Sequence, residues 1–381
     1  MNPKLNIARI ILIFILAFTG RTIYGQPLLD ILLEADALSK SGQSQRALGI
    51  LSQALEKNSD VRLYLLRAKI FFNEGAYDDA ASDYTNAGKI RTDAGAYGLA
   101  RISAVKGDAA GAVMHLERSM KSEFKAGEKE ILTDAAFSRI ETKPEWREFW
   151  KKDWYTTPEI KLAEAEYYIS SGRRDEAGKI ITDLGFSYPG SDETQYAKAI
   201  YHAAGAENKE ALSIISKLLE LDPSNGKYLR LQADIQFKSS NYAGASVTYS
   251  KMLELEIPDP SIFISRAECF ARTGEITKAL SDVSKYLTLY PDDRKAMSMA
   301  GRLELTAGNN LKALEHYSRK IELYPGDADS YNDRASVFFL TKSWQEAIKD
   351  YSMAIDLDPA NSVSWLNKGI ALLKIAKTDD A

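Results

Sequence analysis

The residues able to do chemistry are few and far apart. Three histidines (His115, His202 and His316) and one cysteine, Cys269, are all the chain offers as soft metal ligands or as half of a nucleophile–base pair. None of the histidines has a second histidine or a cysteine at metal-ligand spacing. Nucleophilic catalysis would need the fold to carry one of them to a serine. Cys269 lies in the apolar stretch Ala267-Glu268-Cys269-Phe270, the setting of a buried structural thiol rather than a reactive one. The paired acids Asp78-Asp79 and Asp292-Asp293 fall at turns or helix starts, where they cap or solvate. Glycine-rich phosphate loops are missing. The expectation is therefore no enzyme, no catalytic residues, no cofactor and no metal.

Aromatic chemistry is the exception. Trp146, Trp150 and Trp154 stand at i, i+4 and i+8, a spacing that puts them on one face of a single helix. That face either packs on its neighbours or serves as a docking surface, since tryptophan is enriched where partners bind. Most of the 20 tyrosines, by contrast, recur at positions that fill space between helices (Tyr84, Tyr249, Tyr317 and Tyr351), so base stacking on nucleic acid is not expected.

The elements that position these residues are set by a repeat. Six blocks of 34 residues run without a gap from Pro158 to Asn361, starting at residues 158, 192, 226, 260, 294 and 328. The eighth position is small in every block (Ala165, Ala199, Ala233, Ala267, Gly301, Ala335), and the twentieth is always alanine (Ala177, Ala211, Ala245, Ala279, Ala313, Ala347). In the first block Leu162, Ala165 and Tyr168 recur at helical spacing, Gly172 breaks the pattern, and Ala177, Ile181 and Leu184 restart it. Pro189 ends the block because it has no amide for a continuing helix. Each block thus reads as two amphipathic helices, and one such unit alone cannot bury its apolar face, so the units must stack. A further half-block starts at Ser362, with Trp365, Gly369 and Leu372 in register, and reaches Ala381 where a second helix would begin; the last helix either caps the stack or is the start of another unit. Residues 28–126 carry three looser copies without the terminal proline.

This pattern resembles the tetratricopeptide repeat, a 34-residue helix–turn–helix unit with small residues at its eighth and twentieth positions. Three residues, Met252, Tyr286 and Lys320, replace the usual small side chain at the twenty-seventh position, and wider or rotated packing is expected there. The resemblance implies an all-α superhelical solenoid in two arrays, 28–126 and 158–381, separated by a degenerate helical segment at 127–157. It also implies a concave surface lined by the first helix of each repeat, at its second, fifth, ninth and twelfth positions, which holds a peptide or protein partner. In the second array these include Arg230, Asp234, Phe237, Glu268, Arg302, Asn332, Ser336 and Phe339. Chaperone-binding members of the family clamp a terminal carboxylate with Lys and Asn at the fifth and ninth positions; no block here carries that pair.

Residues 1–25 read as a secretory signal peptide, with Lys4 and Arg9 ahead of the apolar run Ile10 to Phe18 and cleavage after Gly25. Retention as a membrane anchor is the alternative, and Arg21 is atypical of a cleaved leader. Cleavage would remove three cations and no acid, taking the net charge from −4 to −7, which disfavours a nucleic-acid partner. No cysteine lies near the cleavage point to be acylated, and the single cysteine excludes an intramolecular disulfide. The expected setting is the bacterial periplasm or cell envelope, with no integral span after cleavage. The expected role is a non-catalytic scaffold that binds in the groove; the alternative is an accessory subunit docking through Trp146, Trp150 and Trp154.

Overall fold

The computed structural model describes residues 27–379, and the expected signal peptide at 1–25 lies outside them. Among the described residues there are 21 α-helices, one short 3-10 turn and no strand. Two compact units divide between Trp154 and Tyr155.

The first unit begins with three hairpins: α1 (Leu28–Lys40) with α2 (Ser44–Leu55), α3 (Val61–Asn73) with α4 (Tyr77–Ile90), and α5 (Ala96–Val105) with α6 (Ala109–Met120). It closes with α7 (Glu128–Thr133), a 3-10 turn at Ala135–Phe137, and α8 (Pro144–Phe149). The second unit holds six hairpins: α9 (Thr157–Ser170) with α10 (Arg174–Ser187), α11 (Asp192–Ala204) with α12 (Asn208–Leu221), α13 (Gly226–Lys238) with α14 (Tyr242–Glu254), α15 (Ser261–Arg272) with α16 (Ile276–Leu289), α17 (Arg294–Thr306) with α18 (Asn310–Leu323), and α19 (Ala328–Leu340) with α20 (Trp344–Leu357). A final helix, α21 (Ser362–Asp379), follows. Within each unit, each first helix packs on its own second helix, and each second helix on the first helix of the next hairpin.

The repeated alanines explain this packing. Every alanine at the eighth and twentieth positions is fully buried in both units, so paired helices approach to methyl contact. The one glycine at the eighth position, Gly301, lies under the ring of Tyr317, which a Cβ would meet at 2.5 Å.

The turn within each hairpin is equally regular. The fifteenth residue of every repeat has a left-handed backbone; six are glycine, and the others are Ala206, Ser240 and Lys342, with φ of 59°, 61° and 61°. Hydrogen bonds around these residues form the Schellman pattern that ends a helix. For example, Lys342 N–H donates to Phe339 O at 3.1 Å and Ser343 N–H to Phe338 O at 2.8 Å.

Three inter-helix ion pairs share one register. Arg67 meets Asp83 and Ser52, Arg266 meets Asp282 and Ser250, and Arg334 meets Asp350 and Ser318. Arginine is always at the seventh position, aspartate at the twenty-third, and serine at the twenty-fifth of the preceding repeat. The guanidinium grips both carboxylate oxygens, with Nε and Nη2 at 2.7 and 2.9 Å in the Arg334 pair. Where the seventh residue is Leu99 or Ala300, the twenty-third is His115 or His316. In these two repeats cation and carboxylate are replaced together, so neither charge is left buried alone.

One expectation is corrected. Trp146, Trp150 and Trp154 do not share a helix face, because α8 ends at Phe149; Trp150 caps it and Trp154 lies beyond. The chain turns back instead: Trp154 Nε1 donates to Phe149 O at 2.7 Å, and its ring stacks on Phe149 at 4.9 Å. Trp146 is buried between Phe137 (5.2 Å) and Phe149 (6.1 Å). The half-block after Ser362 forms one continuous helix to Asp379 with no turn at its fifteenth position, Ala376.

At the twenty-seventh position the larger side chains are put to use. Met252 fills core, and Tyr286 donates to Asp293 at 3.3 Å. Lys320 is buried against Asp327 at 2.8 Å and Ser298 at 2.5 Å. Burial alone would raise the Asp327 carboxyl, but hydrogen bonds from Lys320, Ser330 and Arg294 outweigh it and hold it below its usual value.

Candidate interaction surface

The first helices of successive repeats pack side by side: α9 on α11, and α11 on α13. Across this row Lys227 of α13 reaches Glu166 of α9 at 2.9 Å, passing in front of α11, where its ammonium lies 4.3 Å from the Tyr196 ring. Adjacent helix axes lie about 8–10 Å apart, so two side chains can meet in front of an intervening helix only if the row curves toward them. Glu166, Tyr196 and Lys227 occupy the ninth, fifth and second positions of consecutive repeats. They lie in the expected register, although composition gave no reason to single them out.

The residues expected to line this surface fall into two groups. Arg230 is ion-paired with Asp259 and lies 3.3 Å from Ser261 Oγ. Asp234 accepts a hydrogen bond from Tyr249 at 3.1 Å, and burial raises its carboxyl above the usual range. Glu268 pairs with Arg272 at 2.9 Å, Phe237 meets Tyr242 edge-on at 5.3 Å, and Phe339 meets Trp344 at 4.9 Å. Asn332 accepts from Ser364 at 3.2 Å, and Ser336 donates to the Asn332 carbonyl at 2.9 Å. Arg302 differs: it is exposed, and among the described residues it has no ion-pair partner.

Sequence reasoning missed Asp333, at the sixth position of its repeat. Its carboxyl is mostly buried, makes no hydrogen bond among the described residues, and is raised by that burial. Lys320 and Arg302 are the cations near enough to oppose the shift. The register used for the surface omitted the sixth position, so only the structure places Asp333 beside Arg302.

The histidines remain apart. His115 and His316 are shifted below their usual pKa by burial, and His202 Nδ1 lies 2.5 Å from Glu207, which also holds Arg174. No serine or cysteine is hydrogen-bonded to any of them among the described residues. Cys269 is buried, its thiol pushed up to about 11 by desolvation. No group of three acidic, histidine or cysteine side chains could hold a metal ion among the described residues. No helix there is long and apolar enough to cross a membrane.

Comparison with known proteins agrees with this architecture. The tetratricopeptide-repeat family model matches residues 32–95 and 298–362. Among solved structures, YrrB, described as a tetratricopeptide-repeat protein with an unusual peptide-binding site, is 19% identical, covering 50% of this chain and 97% of its own, with a TM-score of 0.44. PilW, a type IV pilus biogenesis factor, is 15% identical over 57% of this chain and 99% of its own, with a TM-score of 0.47. PilF of Pseudomonas aeruginosa is 15% identical over 57% of this chain and 97% of its own, with a TM-score of 0.44. No curated protein matches in sequence. With the family's repeat matched in both units, and nine helical hairpins in its register, the chain is a tetratricopeptide-repeat protein.

Proposed function

We propose that this protein is a non-catalytic scaffold that binds an extended peptide or a partner's segment along the first helices of its second unit, and that it works in the cell envelope. The observation that carries the reading is the Glu166–Lys227 contact in front of Tyr196. It supports a row of first helices that curves toward the face carrying Arg230, Asp234, Phe237, Glu268, Arg302, Asn332, Ser336 and Phe339. Most of these polar groups are already paired, which holds their side chains in place. Arg302 offers the one unpaired charge among these eight residues, and it gives an anionic group of the partner an anchor point. Export rests on the leader-like pattern of residues 1–25.

The alternative, docking through Trp146, Trp150 and Trp154, has less surface to offer. Trp146 is buried, and only Trp150 and Trp154 remain partly exposed.

Panning a random peptide library against the full chain separates the two. Selected peptides should lose about tenfold or more in affinity for Arg302→Glu and keep it for Trp154→Ala. Peptides indifferent to Arg302→Glu and lost with Trp154→Ala would move the site to the 127–157 segment. A library that yields no binder would sink peptide recognition.

A further inference from the structure

We propose that the cleft between α10 and α11 is a binding site for an oxyanion, the carboxylate or phosphate group of a small ligand. The cleft has a volume of about 320 Å³. Its lining takes Lys198, Tyr201 and His202 from one turn of α11, whose spacing puts them on a common face, and Thr182 from α10, whose hydroxyl donates to Gly178 O at 2.8 Å. At 100° per residue, that face is opposite the one carrying the second, fifth, ninth and twelfth positions, so this site is separate from the partner surface.

Glycine makes the room. A Cβ on Gly178 would stand 3.0 Å from the Tyr201 hydroxyl, and one on Gly185 would stand 3.2 Å from Lys198 Nζ. Ile181 supplies an apolar wall.

The chemistry follows from the repeat register. Lys198 occupies the seventh position, where three other repeats carry an arginine bound to the aspartate at position twenty-three. Here the twenty-third residue is Ile214, so the cation is kept and its internal carboxylate is gone. Among the described residues Lys198 Nζ and the Tyr201 hydroxyl have no hydrogen-bond partner, while His202 faces Glu207 through Nδ1. No acid lines the cleft; the nearby Glu207 is already shared by Arg174 and His202. Two unused donors, the Lys198 ammonium and the Tyr201 hydroxyl, thus face a cleft that no acid lines, and an oxyanion presents two or more acceptor oxygens to such a pair.

The test is calorimetric titration of the full chain, at low ionic strength, with inorganic phosphate and with N-acetylglutamate. At least one should bind saturably. Lys198→Gln should weaken that binding about tenfold or more, the usual scale of a lost charge-assisted hydrogen bond. Ile214→Asp, which restores an internal carboxylate, should weaken it as much, and Lys209→Gln should leave it unchanged. Binding of phosphate alone, of the carboxylate alone, or of both identifies the ligand's headgroup. Saturable binding of neither, or binding that a folded Lys198→Gln or Ile214→Asp leaves intact, overturns the site. Thermal unfolding checks each variant, and Lys198→Gln decides alone if Ile214→Asp does not fold.

Discussion

Glu166 and Lys227 belong to repeats two apart, yet their side chains meet at 2.9 Å over the ring of Tyr196. The contact reports curvature rather than supplying stability. Both side chains are about half exposed, so the pair is worth roughly 0–1 kcal/mol and is screened by salt. Lys227→Met with Glu166→Gln should therefore leave the denaturant midpoint nearly unchanged at any salt concentration. A loss of more than about 2 kcal/mol would mean that the curve of the helix row depends on this bridge.

The left-handed turn residue gives a sharper test. Ala206, Ser240 and Lys342 occupy a backbone conformation that costs a side-chain-bearing residue about 1–2 kcal/mol, while six sister repeats use glycine there. Glycine removes that strain but adds unfolded-state entropy of roughly 0.5–1 kcal/mol. Ala206→Gly, Ser240→Gly and Lys342→Gly should each stabilise the protein by about 0.5–1 kcal/mol, read as a raised unfolding midpoint. The reverse change, Gly274→Ala, should destabilise by a similar amount.

Much of this fold was legible because the 34-residue period repeats a packing solution. Small residues at the eighth and twentieth positions must lie where two helices cross, and they do. Contacts that cross repeats were harder to read. The Arg334–Asp350 pair joins positions seven and twenty-three, which look like ordinary surface charges until the helices are placed. The Glu166–Lys227 bridge depends on a curvature that no single repeat encodes. The tryptophan spacing misled for a local reason: i, i+4, i+8 describes a helix face only while the helix lasts, and α8 ends after six residues. For the proposed interaction surface, the register names a face. It did not show that internal partners already hold Arg230, Asp234 and Glu268 while Arg302 stays unpaired.

The ion pairs at positions seven and twenty-three have a built-in control. Asp350 is almost fully buried and its partner Arg334 about one-fifth exposed, so removing the cation leaves a stranded carboxylate. Arg334→Ala should cost about 3 kcal/mol, the low end for a broken buried pair. The chain itself shows the compensating solution in Ala300 with His316. Arg334→Ala combined with Asp350→His should thus recover about half or more of the loss, a coupling read from a double-mutant cycle in urea. Additive losses would mean that the pair contributes nothing as a pair.

Those histidines also make stability depend on pH. Burial disfavours the charged form of His115 and His316, so each is shifted below its usual value of 6.5 in the folded chain. Between the folded and unfolded values the unfolded chain binds more protons, so stability is fully present above 6.5 and falls as the pH drops below it. Asp234 and Asp333 act in the opposite sense: burial raises both carboxyls, so acidification relieves their cost only nearer the carboxylate range. Stability should therefore decline from pH 7.5 to about 5.5, and His115→Gln with His316→Gln should flatten that slope. Urea unfolding of both proteins at the two pH values measures the difference. An equal slope in the double variant would assign the acid sensitivity to other groups and leave these two histidines without a role in it.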